Sequence, residues 1–210
     1  MFELVKAGGW LMAPIIACSV VALAIIVERA WSLREKQVVP DYLVAEVWRQ
    51  AREGKVTEEQ VRSLREHSPL GRILAVGLLN RQRERAVIKE AIEENGRAVA
   101  HELDRFLTAL GTIAAITPLL GLLGTVIGMI SVFTTITQLG VGNPGELAGG
   151  ISQALITTAA GLSVAIPSLI FHRHFRGKVE YLTVQMEQEA VKLVEILAGE
   201  RAQSAGSRAA

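Results

Sequence analysis

Three long stretches without one charged side chain constrain this sequence more than any other feature: Ala7 to Val27, Phe106 to Gly145 and Leu147 to Phe171. A bilayer core of about 30 Å is crossed by roughly 20 apolar helical residues. The first and third stretches each supply one crossing. The second is too long for one and too short for two with a turn. Its end, Gln138 to Gly145, holds Gly140, Gly142 and Asn143-Pro144-Gly145, which is turn chemistry. The expectation is an all-α integral membrane protein with transmembrane helices at 10–31, 106–137 and 148–171. Average composition decides less, because 50% hydrophobic residues and a mean hydropathy of +0.34 also suit a soluble domain.

The first run follows Glu3 and Lys6 and ends in Val27-Glu28-Arg29-Ala30-Trp31 rather than a small-residue cleavage site. With Arg34 and Lys36 just beyond, it reads as an uncleaved span and not a signal peptide. Cys18, the only cysteine, lies inside this run, cannot form an internal disulfide and reads as a small packing residue. The net charge of +1 gives no global field toward nucleic acid.

Lys/Arg asymmetry sets the expected orientation. Ser32 to Arg105 carries fourteen Lys/Arg and the tail after Phe171 carries six, while the turn between spans two and three carries none and residues 1–9 carry only Lys6. Residues 1–9 and the turn at 138–147 are therefore expected outside, with 32–105 and 172–210 in the cytoplasm.

The cytoplasmic segment reads as helices. Pro40-Asp41 opens one that runs to Glu53 and stops at Gly54. Thr57-Glu58-Glu59-Gln60 is a capping box, and Ser68-Pro69 opens another helix with proline at its first position. From Arg83 onward Val87, Ile88, Ala91, Ile92, Val99, Leu103, Phe106, Leu107 and Leu110 recur at helical spacing. No Gly-Pro break interrupts them, although Gly96 softens the run, so one helix of about 50 residues, roughly 75 Å, is expected to continue into the second span. In the tail, Val179, Leu182, Met186, Leu193 and Ile196 form a stripe broken by Glu189, the mark of a helix packed on another helix. Ala202 to Ala210 is Ala/Ser-rich and expected to be disordered.

The first span is bulky and apolar and looks lipid-facing. Spans two and three carry Thr112, Thr117, Thr125, Ser131, Thr134 and Thr135, then Ser152, Gln153, Thr157, Thr158, Ser163 and Ser168. They also hold Gly111, Gly121, Gly124, Gly128 and Gly161, and Gly124-xxx-Gly128 has the spacing that lets helices approach closely. A lone hydroxyl in a span means little, because it can bond back to its own helix. Gln153 is different, since an unsatisfied amide in hydrocarbon is costly and must face protein, water or a partner. Gln153 and Thr157 share a helical face, with Thr158 about 140° away. Interhelical glue and pore lining both remain open for Gln153. Between Phe106 and Phe171 only Glu146 is charged, so a proton relay through these helices needs a carboxylate from another chain.

The stretch from Ile116-Thr-Pro-Leu-Leu-Gly-Leu-Leu-Gly-Thr-Val-Ile-Gly to Met129, followed by Gly150-Ile-Ser-Gln-Ala-Leu-Ile-Thr-Thr-Ala-Ala-Gly-Leu-Ser-Val-Ala-Ile to Pro167, resembles the MotA/TolQ/ExbB proton-channel family, nearest its ExbB branch. The resemblance covers most of the chain. It implies a stator subunit, a homopentamer around a pore that holds two ExbD-like single-span helices bringing an aspartate. It implies a motor that uses the proton-motive force to drive a TonB-like protein in outer-membrane import of iron-siderophore and similar ligands. Thr125 and Thr158 match the family's pore-facing threonines, Pro118 and Pro167 its span prolines, and Gln153 stands where many members have glutamate. A glutamine cannot exchange a proton, so that position cannot act as an acid here.

Two rivals stay open: a TolQ-like stator for envelope integrity and division, and a non-conducting scaffold. No enzyme, cofactor or metal site is expected, for there is no phosphate loop, metal spacing or nucleophile–base pair. The expected proton pathway is Thr125, Thr158, Gln153 and Thr157, with Gly121, Gly124, Gly128, Gly161, Pro118 and Pro167 as packing residues. His172 and His174 flank Arg173 at the membrane exit and read as surface histidines, as do His67 and His101. The basic run Arg81 to Arg85 reads as a solvated face, a contact to anionic lipid head groups, or a contact to the partner's N-terminal tail.

Overall fold

The computed structural model describes residues 8–40, 42, 43, 45, 47, 49, 57–139 and 144–209. Among them the helices are α1 (Met12–Ser32), α2 (Glu35–Val38), α3 (Glu58–His67), α4 (Pro69–Leu79), α5 (Arg85–Leu103), α6 (Leu107–Leu139) and α7 (Pro144–Ala209). The chain divides into two compact units, Met1–Arg29 with Phe106–His174, and Ala30–Arg105 with Phe175–Ala210.

The first unit is built from α1, α6 and the first part of α7. The helical stretches long and apolar enough to cross a membrane are Met12–Ser32, Arg85–Gln138 and Leu147–Leu197. Val20 and Leu23 on α1, Leu119, Ile130 and Phe133 on α6, and Leu155, Ile166 and Ile170 on α7 are all exposed. A continuous apolar surface of this kind is unstable against water and suits hydrocarbon. Arg29, at the end of α1, is buried and forms a two-pronged pair with Glu28, its Nη2 donating to Oε1 at 2.7 Å.

The second unit is an amphipathic helical assembly. Gln60 Oε1 accepts the Thr57 backbone N–H at 3.1 Å, and Ser68 Oγ accepts from Gly71 N at 3.0 Å with Pro69 at the first helical position. Both helix starts were readable as caps, because each satisfies a donor that the first turn leaves free. Leu70, Leu74 and Leu78 of α4, Ile88 of α5 and Leu182, Met186 and Leu193 of α7 form the core, each under 2% or at most 2% exposed. Gly77 lets α4 sit close to both neighbours: a Cβ there would lie 3.0 Å from Ile92 Cδ1 and from Leu193 Cδ2. The α7 stripe passes the Glu189 gap through Ala190 and ends on Leu197, with Ile196 only half-buried. Val87, expected on the buried face of α5, is exposed.

One expectation needs correction. The second apolar run is not one helix with the segment before it. α5 ends at Leu103, residues 104–106 form a turn, and Phe106 has a φ of 66°. A left-handed non-glycine residue cannot continue the α-ladder. The interruption is brief, since Asp104 N still bonds Ala100 O at 3.0 Å and Leu110 N already bonds Phe106 O at 3.0 Å. Gly96 lies inside α5 without disturbing it. The helix expected from Asp41 to Glu53 lies largely outside the described residues, as do positions 140–143 of the turn. α7 is helical to Ala209, where composition leads one to expect disorder; side chains from 198 onward are not among those described.

Leu193 is fully buried against α4, so Leu193→Ala should cost about 2–5 kcal/mol, whereas Val87→Ala on the exposed face of α5 should change stability by about 0.5 kcal/mol or less. Thermal unfolding of the detergent-solubilised protein, followed by circular dichroism, checks the contrast.

Candidate functional site

α6 and α7 meet in an antiparallel seam made possible by residues without bulk. A Cβ on Gly161 would lie 2.5 Å from Thr117 O, and one on Gly121 would lie 3.0 Å from Thr158 Cα. On Gly124 it would lie 2.1 Å from Thr157 Oγ1, and on Gly128 2.8 Å from Gly150 O and 2.9 Å from the Ala154 methyl. At each step one helix backbone touches the other, so added carbon would force the pair apart. At the far end Gly111 lies under the ring of His172, whose Cε1 is 2.9 Å from the site a Cβ would occupy.

The hydroxyls along the seam are all accounted for. Thr117 Oγ1 donates to Ile113 O at 2.9 Å, Thr157 Oγ1 to Gln153 O at 2.9 Å and Ala154 O at 3.0 Å, and Ser168 Oγ to Val164 O at 2.7 Å. These three residues are essentially inaccessible, and back-bonding to their own helix is what allows them to be buried. Thr158 differs. Its Oγ1 donates across the seam to Gly121 O at 3.0 Å, tying α7 to α6. Such a bond inside a membrane contributes about 0.6–2 kcal/mol.

The expected site residues therefore separate. Thr125 is half-buried and donates to Leu122 O at 2.6 Å. Thr158 is half-buried in the seam. Thr157 has 0% of its surface accessible, so its assignment to a pore wall is corrected: it packs on Gly124 inside the protomer. The helical wheel identified the face Thr157 shares with Gln153, and that face turns inward. Gln153 lies against the backbone of Gly9, whose hypothetical Cβ would sit 2.1 Å from Nε2, and Gly9 has a φ of 71°. Glycine is required there on both counts. Of the two roles open to Gln153, the contact with Gly9, just before α1, favours packing within the protomer. Pro118 is half-buried inside α6, and Pro167 is exposed inside α7, away from the seam. Gly150 and the pair Gly111–His172 also belong to the seam; spacing alone did not identify them, because which residues face across it depends on helix rotation.

Residues 65–188, more than half of the chain, match the profile of the MotA/TolQ/ExbB proton channel family. The chain is 33% identical over 199 residues to the putative biopolymer transport protein ExbB-like 3 of Synechocystis sp., covering 90% of this chain and 91% of that protein. It is 36% identical over 183 residues to ExbB-like 1 of the same organism, covering 86% of this chain and 71% of that protein. The biopolymer transport protein exbB1 of Vibrio cholerae is 30% identical over 167 residues, 77% of this chain and 72% of that protein.

The seam makes its own demand on sequence. Gly124→Ala should destabilise the protein by about 1–3 kcal/mol through overpacking against Thr157, and Thr157→Ala in the same chain should recover part of that loss, since it removes the 2.1 Å contact with Oγ1 and leaves the 2.6 Å contact with Cβ. A double-mutant cycle on unfolding in mixed detergent measures it; strictly additive losses would contradict the contact.

Proposed function

Because the chain belongs to the MotA/TolQ/ExbB proton channel family, we propose that it is an ExbB-like stator subunit of an inner-membrane motor driven by the proton-motive force. It works with an ExbD-like single-span protein and energises a TonB-like protein in outer-membrane import. The observation that carries this reading is a chemical asymmetry in α6 and α7. From Leu107 to Phe171 the only ionisable side chain is Glu146, yet the same helices carry a dense set of hydroxyls, with Thr125 and Thr158 partly accessible. Helices that only faced lipid would not need those hydroxyls, and helices that moved protons unaided would need an acid at depth. A passage walled by several copies, with the acid supplied by a second protein, accounts for both features. The large exposed apolar surface of the membrane unit leaves room for such copies, and a homopentamer is the assembly proposed.

The energetics suffice. One charge crossing 100 mV releases about 2.3 kcal/mol, enough to bias a step between nearly equivalent positions of a ring. Thr125 and Thr158 each donate to a backbone carbonyl and so keep oxygen lone pairs free to accept from water or from the partner's acid.

Reconstituted in liposomes with its single-span partner, the protein should conduct protons, and without the partner it should not. Thr158→Val should reduce the flux at least about tenfold while Thr158→Ser retains it, since an oxygen-specific role of about 1.4 kcal/mol corresponds to that factor. Flux from the chain alone, or a fully active valine variant, would refute the reading. In a Cys18→Ser background, Asn143→Cys should react with an impermeant maleimide from outside intact spheroplasts and Arg208→Cys only after lysis, as the Lys/Arg asymmetry requires.

A further inference from the structure

The exposed apolar residues of α1 lead to an aromatic ring. Val20, Leu23, Val27 and Trp31 follow steps of three and four, so they form one stripe down the helix. At 1.5 Å per residue the 21 residues of α1 cover about 31 Å, one bilayer crossing. Trp31, next to last in the helix, lies where hydrocarbon gives way to head groups, the depth that indole favours. Its ring is exposed and yet fixed in place. With the Gln37 amide oriented to satisfy both groups, its oxygen accepts from Trp31 Nε1 at 3.0 Å and its nitrogen donates to Trp31 O at 2.9 Å. The Arg34 guanidinium lies over the same ring, 4.4 Å from its centre.

The neighbouring carboxylates leave that guanidinium unneutralised. Glu28 is bonded to Arg29. Glu35, next to Arg34 in the chain, is taken up by α7: its Oε2 lies 3.5 Å from Lys178 Nζ, and its Oε1 accepts from Gln185 Nε2 at 3.2 Å. Among the described residues neither Arg34 nor Lys36 pairs with a carboxylate, and both are exposed. A guanidinium stacked on an aromatic ring commits its face and keeps its N–H edge, a fork that matches phosphate.

We propose that Arg34, stacked on Trp31, binds the phosphate of an anionic phospholipid, and that Lys36 supplies the second charge that favours a net-negative headgroup over a zwitterionic one. Continuity and charge identify the occupant. The stripe that ends at Trp31 meets acyl chains, and the cation one turn beyond it meets the headgroup of the same lipid. Only a membrane around α1 is needed, so the inference stands apart from the channel reading.

The test uses the full chain in phosphatidylcholine vesicles containing phosphatidylglycerol at stepped mole fractions. Trp10→Phe and Trp48→Phe leave Trp31 as the only tryptophan. Lipids brominated high on the acyl chain quench a tryptophan that they touch. Quenching by brominated phosphatidylglycerol against brominated phosphatidylcholine therefore gives their relative binding constant beside Trp31. A cation near the surface favours an anionic headgroup about fivefold, so the constant should be at least about five in the parent chain and should fall about fivefold in Arg34→Gln. Arg34→Lys keeps the charge without the planar fork and should retain part of the preference. Arg62→Gln removes one charge from the exposed face of α3 and should leave the constant unchanged. All variants are compared at matching gel-filtration profiles. A constant near one in the parent chain overturns the proposal, and so does an Arg34→Gln value within about twofold of the parent's. Equal losses in Arg34→Gln and Arg62→Gln would assign the preference to net charge alone and overturn it as well. The lipid assignment also fails if no brominated lipid quenches Trp31, which would mean that protein covers the ring. It fails, too, if millimolar inorganic phosphate at constant ionic strength abolishes the preference, which would mark a site for free anions.

Discussion

Everything in the membrane unit depends on how closely two backbones approach. Water drives apolar helices together in a soluble core, but lipid tails are as apolar as leucine, so that driving force is missing inside a bilayer. What remains is dispersion at short range and a few hydrogen bonds. Dispersion falls off within an ångström of separation, and only residues lacking bulk allow the needed distance. Gly121, Gly124, Gly128 and Gly161 are spread along the seam so that each helix meets the other's carbonyls and side-chain methyls directly. The Thr158–Gly121 bond is available only at that separation.

The same closeness explains the hydroxyls. A buried Thr or Ser in a tight seam has no water, and back-bonding to its own helix is the only partner always within reach. Thr117, Thr157 and Ser168 all do this. They supply small, slightly polar volume without leaving a donor unmatched, which separates them from Thr125 and Thr158, whose side chains are only half-buried. Hydroxyl density in a span is thus two populations, one structural and one accessible.

How far the sequence could be read follows from which forces are local. The spans were legible because a charge in hydrocarbon is prohibitive, and its absence over twenty residues has few other causes. The Ser68 cap and the Gln60 contact were legible because capping is settled within four residues. The α7 stripe was legible apart from Ala190, which is small enough to be overlooked yet buried, and its end, where Leu197 is buried and Ile196 only half-buried. By contrast, nothing in Leu103-Asp104-Arg105-Phe106 announces a break, since the sequence has neither glycine nor proline there. The inward turn of Thr157 and Gln153 was also hidden: periodicity shows that residues share a face and is silent on what that face meets. His172 looked like a surface histidine because its burial comes from Gly111, sixty-one positions earlier.

The break at Phe106 has its own energetic logic. A non-glycine residue in the left-handed region costs about 1–2 kcal/mol. Within the same unit the buried guanidinium of Arg29 lies 5.4 Å from the centre of the exposed Phe106 ring, and a cation–π contact of this kind contributes about 1 kcal/mol. The contact offsets part of the strain. The adjacent Glu28 accepts two hydrogen bonds from the guanidinium and holds it in place. A charged pair at the end of α1 thereby stabilises a backbone conformation at the start of α6. The turn at 104–106 is in this sense specified by a residue some 75 positions away, and a purely local reading could not have found it.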